Sequence, residues 1–495
     1  MNRAVFAVVA TIVVAGLAVL PLLGAPYWTT FVFSILIAYV LAQSWDWVAG
    51  EMGYINLGHY VFYGIGAYAF AIALSSALMP SVPLAMVIAV LVVAIVAAVL
   101  ALPLFRLRGD YFAFGTLALL PLAEVLTNNN TWLTGGADGI VLPVAHVLQA
   151  AFWLALILAV ASFAVTLVIN RAPFGFALRS IRNDEEVAEV IGLPLLPTKI
   201  KALVLSSLFA GMAAVTVFGL NVALVPIAMA LLGGSGLRWG PFIGVVLLAG
   251  IQQWLLVNIT MLQATVYGAI ILLIGRYMPG GILRAGILRG LPWLAPLTRE
   301  HGAFVADTAI DQVASSSAVM SAEMPLDRIV PRGTETPLLV CRDVAKAFGG
   351  NRALAGVSFN VAQGEIVGLV GQNGSGKTTL FNCISKVHSL NGGEIRFSGR
   401  DLSGLRRDQM AGLGVGRTYQ IPRPFGDLTV AENVALSLMF GPQREIPARA
   451  LTEARSFLAY AELDHRRDVR ADALSLQEKK LLEFARALAT RPKLL

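Results

Sequence analysis

The stretch Glu365–Ile366–Val367–Gly368–Leu369–Val370 runs into Gly371–Gln372–Asn373–Gly374–Ser375–Gly376–Lys377–Thr378–Thr379 and then Leu380–Phe381–Asn382–Cys383–Ile384. It reads as a short apolar strand, a loop of the pattern G-x-x-x-x-G-K-[ST], and the first turns of a helix. Glycine lets backbone N–H groups turn inward with no Cβ in the way. Gly371, Gly374 and Gly376, with Asn373 and Ser375 between them, are therefore expected to cradle phosphate oxygens. The helix N-terminus adds partial positive charge. Lys377 is expected to neutralise the β- and γ-phosphates, and Thr378, followed by Thr379, to offer a hydroxyl to Mg²⁺. A glycine-rich turn with an incidental lysine is the alternative, and the strand–loop–helix setting argues against it.

Outward from that loop the composition divides the chain. Of 495 residues, 57% are hydrophobic and 14% charged, with mean hydropathy +0.73. An average soluble domain is about 25% charged, so neither a single soluble globule nor a disordered chain fits. Residues 1–290 hold 12 Lys/Arg and 9 Asp/Glu of totals of 37 and 30, and the remaining 205 residues hold the rest. The first part reads as membrane, the second as water-soluble. The net charge of +7 is read as basic residues at a cytoplasmic membrane face, with no nucleic acid partner. Cys341 and Cys383 are far apart in sequence, which excludes a disulfide framework and a cysteine-based zinc site.

Residues 4–45, 52–105, 139–170, 202–237 and 239–275 contain no Asp, Glu, Lys or Arg. A spanning helix takes about 20 apolar residues. The first two stretches can each hold two spans, broken near Pro26–Tyr27–Trp28 and between Pro80 and Pro83. Further spans are expected at 112–127, 148–170, 202–222, 240–258 and 260–278. The segment 223–237, with Gly233–Gly234–Ser235–Gly236, is a full span or a re-entrant piece. The expectation is a polytopic α-helical membrane domain of about 8–10 spans, at about 20 residues each. Residues 4–24 are read as an uncleaved first span. Arg3, Arg106 with Arg108, the group from Arg171 to Lys201, and Arg284 with Arg289 fall on one side, the cytoplasm, if the crossings between them are even in number. Glu124, inside a span, is a candidate for the solute path or for structural pairing. Ala67, Ala71 and Ser75 form a small-residue face, and His59 reads as a hydrogen-bonded structural residue. The Ala-, Ser-, Thr- and Pro-rich stretch 291–336 reads as a flexible linker between a membrane domain at 1–290 and a nucleotide-binding domain at 337–495.

Residues 338–495 resemble the ATPase subunit of an ABC transporter, which implies an α/β P-loop domain that binds ATP and Mg²⁺. By that resemblance Phe348, in Lys346–Ala347–Phe348–Gly349–Gly350, stacks on adenine. Gln420, in Arg417–Thr418–Tyr419–Gln420, touches Mg²⁺ beside Thr378 and relays nucleotide state to the membrane domain. Ser475 belongs to the signature loop, Leu474–Ser475–Leu476–Gln477–Glu478, which departs from the usual Leu-Ser-Gly-Gly-Gln. Gln477 and Glu478 there are expected to hinder approach to a facing γ-phosphate. Arg491–Pro492–Lys493–Leu494–Leu495 resembles the opening of the strand that ends in Asp-Glu. The expectation is a domain incomplete at its C-terminus, with no catalytic residue among those given, which binds nucleotide without turning it over.

The first part is similar to permease subunits of the branched-chain (hydrophobic) amino acid ABC importer family. The resemblance is carried by Asn56–Leu57–Gly58–His59, Tyr63–Gly64–Ile65–Gly66–Ala67–Tyr68, Leu107–Arg108–Gly109–Asp110–Tyr111–Phe112–Ala113, Leu133–Thr134–Gly135–Gly136–Ala137–Asp138–Gly139–Ile140, Pro173–Phe174–Gly175–Phe176–Ala177–Leu178–Arg179 and Gly240–Pro241–Phe242–Ile243–Gly244. It implies that 172–194 is a coupling loop docking on the ATPase near Gln420. It also implies a multi-pass protein of a bacterial inner membrane with its ATPase in the cytoplasm. The implied partners are a second permease, a second ATPase and an extracytoplasmic substrate-binding protein. The expected activity is ATP-driven import of branched-chain or other hydrophobic amino acids. A urea or short-chain amide importer, a non-hydrolysing ATP-binding scaffold and an exporter are the alternatives.

Overall fold

A computed structural model describes residues 3–75, 81–140, 148–214, 225–258, scattered positions from 265 to 284, and 337–495. The linker expected at 291–336, the second half of the span expected at 202–222, and most of the one at 260–278 lie outside the described residues. The chain forms two compact units, Met1–Arg182 with Leu196–His301, and Asn183–Leu195 with Gly302–Leu495.

The first unit is helical. Its main helices are α1 (Arg3–Val19), α2 (Pro26–Ala49), α3 (His59–Ser75), α4 (Val82–Leu104), α5 (Asp110–Leu117), α6 (Leu119–Asn129), α7 (Leu148–Arg171) and α8 (Pro173–Asn183). After the short α9 (Glu185–Val190), which belongs to the second unit, come α10 (Leu195–Ala214), α11 (Val225–Gly233) and α12 (Gly240–Asn258). Among the described residues five helices are long and apolar enough to cross a membrane: Pro26–Ala49, Val82–Leu104, Asp110–Asn129, Gln149–Arg171 and Leu195–Ala214. Ala10–Leu23, His59–Ser75 and Gly240–Leu255 are shorter apolar helices. Pro26 opens α2 just after left-handed Gly24, so the first break falls where proline and glycine put it. The described part of α11 is nine residues, Val225–Gly233, and the first two residues of the segment expected at 223–237 lie outside the described residues.

Small residues set the packing in the membrane unit. In α4, Ala85, Ala89, Val93, Ala97 and Ala101 recur once per turn and are all buried. Phe70 and Ala73 of α3 pack against Ala85 and Ala89. A Cβ on Gly66 would come within 2.5 Å of the Gly211 carbonyl oxygen of α10. The close face of α3 is therefore Gly66, Phe70 and Ala73, a different line from Ala67, Ala71 and Ser75, of which Ser75 is exposed. Without a hydrophobic drive between helices in lipid, this backbone approach supplies the van der Waals contact.

Several buried polar groups in this unit are bonded to one another. Asp46 accepts from the Ser235 hydroxyl at 2.6 Å and from the Gly236 N–H at 2.9 Å. The Ser44 hydroxyl and His59 Nε2 lie 3.1 Å apart. The α10 helix begins seven residues before the expected 202 because Lys199 is held there. Its ammonium donates to the Tyr54 hydroxyl at 2.6 Å and lies over the Tyr54 ring. Glu124 is exposed and has no partner among the described residues.

The second unit carries a four-stranded antiparallel sheet, β1 (Leu339–Phe348), β2 (Asn351–Val361), β3 (Gly392–Phe397) and β4 (Arg400–Asp401), in the order β2-β1-β3-β4. Besides α9, the described helices with it are α13 (Lys377–Ile384), α14 (Asp408–Leu413), α15 (Val430–Phe440), α16 (Pro447–Tyr460) and α17 (Leu476–Ala489). The core joins Leu339, Cys341 and Val344 of β1 to Leu380 and Cys383 of α13 and Ile395 and Phe397 of β3. Burial pushes the Cys341 thiol up to about 12 and raises that of Cys383. Both cysteines are free and buried, and behave as core residues.

One expectation is corrected. Residues 365–370 do not form a strand; Ile366 is 99% and Val370 94% exposed. A strand exists through its ladder partners, and none of the described strands pairs with this segment. The parallel pairing that an α/β core requires is limited here to a bridge between Val415 and Leu494.

Gly66→Val is expected to lower the thermal midpoint of the detergent-solubilised chain by a destabilisation of about 1–3 kcal/mol, because the added side chain meets backbone. A Cβ on Gly64 meets nothing within 4 Å, so Gly64→Ala is expected to leave the midpoint equal or higher. Equal loss in both variants would contradict the close-approach account.

Candidate nucleotide site

The glycine-rich loop turns where its glycines allow it. Gly374 and Gly376 adopt φ of +84° and +91°, and a Cβ on Gly376 would stand 2.4 Å from the Ala353 carbonyl oxygen of β2. Only glycine fits at that junction between β2 and the start of α13. The Lys377 ammonium donates to the carbonyls of Gly371 at 2.5 Å and Gln372 at 2.7 Å. This draws the two ends of the loop together. The loop and the Thr378 hydroxyl are exposed, and the hydroxyl has no partner among the described residues. Three features suit a phosphate chain: left-handed glycines at 374 and 376, a Gly376 with no room for a Cβ, and a lysine at the helix start.

Phe348 ends β1, 46% exposed. The His388 ring meets it edge-on at 5.0 Å, and the Lys346 ammonium lies 5.2 Å from its centroid. The His388 N–H donates to the Asn382 carbonyl of α13, so the ring that Phe348 meets is tied to the helix that follows the glycine-rich loop. Asn382 does further work: with Ser385 it receives Arg417, whose guanidinium donates to Asn382 Oδ1 at 2.7 Å and Ser385 Oγ at 2.5 Å. Gln420 lies three residues past Arg417, exposed, its side chain unbonded among the described residues.

The segment 417–423 is then clamped from its other side by α17. The Tyr419 N–H donates to Glu483 Oε1 at 2.8 Å. Arg486, one turn on, donates to the Arg423 carbonyl at 3.0 Å and lies 5.1 Å from the centroid of the buried Phe425 ring. Glu483 and Arg486 are both buried. Burial pushes the Glu483 carboxyl above its ordinary value, against the pull of Arg486, and burial likewise lowers Arg486. Composition and spacing single out none of Arg417, Glu483 and Arg486. Their roles depend on which helix faces the loop, and the i, i+3 spacing of Glu483 and Arg486 is the one signal available in sequence.

The far side of the same segment meets residues 183–195. Arg423 pairs with Glu186 at 2.9 Å and Asp184 at 3.5 Å, and Arg407 pairs with Glu189 at 3.2 Å. Asn183 Oδ1 accepts from the Asp427 N–H. Asp184 caps α9 by accepting from the N–H groups of Glu186 and Val187. Left-handed Gly192 passes so close to the Phe440 carbonyl that a Cβ would stand 2.5 Å from it. Within the second unit, the part of the loop expected at 172–194 that starts at Asn183 therefore packs on the residues that follow Gln420.

Ser475 is placed elsewhere, at the N-cap of α17. Its Oγ accepts from the Glu478 N–H, and the Glu478 carboxylate accepts from the Ser475 N–H at 2.8 Å. Glu478 also pairs with Arg466 at 3.0 Å, and these bonds hold its carboxyl below the usual range. The carboxylate expected to obstruct the signature loop is thus folded back onto the helix start. None of the described hydrogen bonds connects Ser475 to the phosphate loop.

A glycine-rich loop running into a helix with Lys377 at its start, attached in sequence to a set of apolar helices, is what a membrane transporter component with an ATP-binding cassette requires. Residues 27–275 match the family described as branched-chain amino acid transport system permease component, and residues 354–495 match the ABC transporter family. The first match covers just over half of the chain, which belongs to the branched-chain amino acid transport permease family and carries an ABC ATPase domain on the same polypeptide. The high-affinity branched-chain amino acid transport ATP-binding protein LivG of Salmonella typhimurium is 35% identical over 172 residues, which cover 32% of this chain and 68% of LivG. A probable LivG of Archaeoglobus fulgidus is 35% identical over 168 residues, covering 32% and 65%. The methionine import ATP-binding protein MetN of Rhizobium etli is 37% identical over 155 residues, covering 31% and 42%. The chain thus spans about two thirds or less of these curated relatives.

Glu483→Ala removes the partner of a buried guanidinium and the acceptor of a buried N–H, and is expected to destabilise the ATP-binding unit by about 3 kcal/mol. Glu483→Gln keeps the acceptor and is expected to cost less. Because the folded carboxyl is raised, its protonated form favours the fold below about 4.5, the ordinary value, and that contribution is lost as pH rises through the raised value. The melting temperature of Glu483→Gln is therefore expected to gain on that of the parent chain as pH increases; a constant difference would contradict this.

Proposed function

We propose that this chain is the fused permease and ATP-binding component of an importer for branched-chain amino acids. ATP bound at Gly371–Thr379 and Phe348 is coupled to the solute path through residues 417–423 and 183–195. Four bonds carry the reading: Arg417 to Asn382, the Tyr419 N–H to Glu483, Arg486 to the Arg423 carbonyl, and Arg423 to Glu186. Joined by the backbone of 417–423 and one turn of α17, they connect the phosphate-loop helix to a loop between permease helices. The permease family match and the LivG relatives support the solute class.

Thr378 and Gln420 supply hard oxygen ligands, exposed and unbonded, suited to a Mg²⁺ that also binds phosphate. Mg²⁺ adds positive charge at the β- and γ-phosphates; this chain's own residues orient them and position the loop. A second permease, a second ATPase and an extracytoplasmic binding protein complete the complex, which lies in a bacterial inner membrane with its ATPase units in the cytoplasm. A methionine importer is the second reading, favoured by the MetN relative.

Loss of the Lys377 ammonium removes charge-assisted contacts of about 1.5–3 kcal/mol. Lys377→Ala in the assembled complex is expected to weaken ATP binding tenfold or more and to abolish L-leucine uptake into vesicles. Uptake that survives the substitution would contradict the proposal. Cysteines replacing Glu186 and Arg423 are expected to cross-link in the intact complex; failure to do so would contradict the docking of the loop.

A further inference from the structure

Within the membrane unit, α2, α11 and α12 enclose a cleft of about 490 Å³. That volume lies within the roughly 300–1,000 Å³ of small-molecule sites. Its depth follows from charge and aromatics. The far end of α2 runs into Gly50 and Glu51, which meet Arg182 and Arg179, part of the basic group assigned to the cytoplasm. The Pro26 end is therefore external. Tyr27 and Trp28 stand there exposed and edge-to-face at 5.3 Å, as interfacial aromatics do. The cleft runs from Pro26 to Ala38 along α2 and reaches Gln252 and Gln253 on α12. It occupies the external half of the membrane unit.

The lining has two characters. Phe31, Ile35, Ala38, Met229 and Ala249 form an apolar wall. Interleaved with them on the same helices are hydroxyls and amides, Thr30 and Ser34 on α2 and Gln252 and Gln253 on α12. Thr30 and Ser34 donate to the carbonyls of Pro26 at 2.9 Å and Thr30 at 3.0 Å, so their oxygens face the cleft as acceptors. Gln253 donates to the Tyr27 hydroxyl at 2.6 Å, which leaves the phenolic proton to be given. The Gln252 side chain has no partner among the described residues. None of the lining residues is charged, so a ligand with net charge would lack a counter-ion, while a zwitterion would not need one.

We infer that this cleft is an external solute site that receives a zwitterionic amino acid with a branched apolar side chain. Its carboxylate accepts from Tyr27 and Gln252, its ammonium donates to the Thr30 and Ser34 oxygens, and its side chain rests on Ile35, Met229 and Ala249. The inference rests on the import reading above and names where in this chain the solute is held.

The test uses the assembled complex in oriented vesicles with L-leucine and L-alanine as probes. The Ser34→Cys thiol is expected to react with a membrane-impermeant reagent added outside, and saturating L-leucine is expected to slow that reaction at least threefold. Ala249→Leu, which fills the apolar end, is expected to lower L-leucine uptake relative to L-alanine about tenfold. Gln252→Leu is expected to weaken L-leucine protection of the Ser34→Cys thiol by the same factor. A thiol unreactive from outside means that lipid or a second permease helix covers the cleft, and overturns the assignment. So does an unchanged leucine-to-alanine ratio in Ala249→Leu while the parent complex imports L-leucine. Absence of L-leucine uptake by the parent complex overturns the import reading and this inference with it.

Discussion

Two buried charged residues of α17, Glu483 and Arg486, fix the segment on which the ATP-binding unit's other contacts converge. Both point from one face of α17 at the segment 417–423, one accepting from the Tyr419 N–H and the other donating to the Arg423 carbonyl. Taking two charged groups out of water is unfavourable unless each is bonded. Here each holds a backbone group that would otherwise be unsatisfied. The segment is thereby fixed between α17 on one side and Asn382 of the phosphate-loop helix on the other, through Arg417. A shift at the phosphate loop would have to move this segment or break buried bonds. That is the physical content of coupling between two sites.

The membrane unit solves a different problem. With lipid as the surrounding solvent, apolar side chains gain little by meeting each other, so close backbone approach and paired polar groups hold the helices. The alanine row of α4 and the contact of Gly66 with Gly211 serve the first purpose. Asp46 with Ser235 and Gly236, and Lys199 with Tyr54, serve the second. The polar pairs gather toward one end of α2, and the cleft lies toward the other. The cleft is thus lined by hydroxyls, amides and apolar side chains and carries no fixed charge.

Local chemistry was legible in the sequence. The G-x-x-x-x-G-K-[ST] loop, the break before Pro26 and the division between an apolar and a charged part all follow from residue types at fixed spacing. Pairing was not. Residues 365–370 have the composition of a buried strand, yet a strand is defined by its neighbours and none pairs with them. Glu478 shows the same limit in reverse. As a departure from the signature pattern it read as an obstruction, while its position three residues past Ser475 also completes a capping box, and the local hydrogen bonds decided between the two. The small-residue face of α3 was placed on the wrong line because spacing alone does not say which of several faces meets a neighbour.

The central claim is that the phosphate loop and residues 183–195 are mechanically joined through 417–423. Amide hydrogen exchange of the assembled complex, with and without ATP, tests it most directly. ATP is expected to change exchange in 371–384, 417–423 and 183–195 together, with Glu483→Ala removing the response at 183–195 while that at 371–384 persists. A response confined to the phosphate loop in the parent complex would contradict the account.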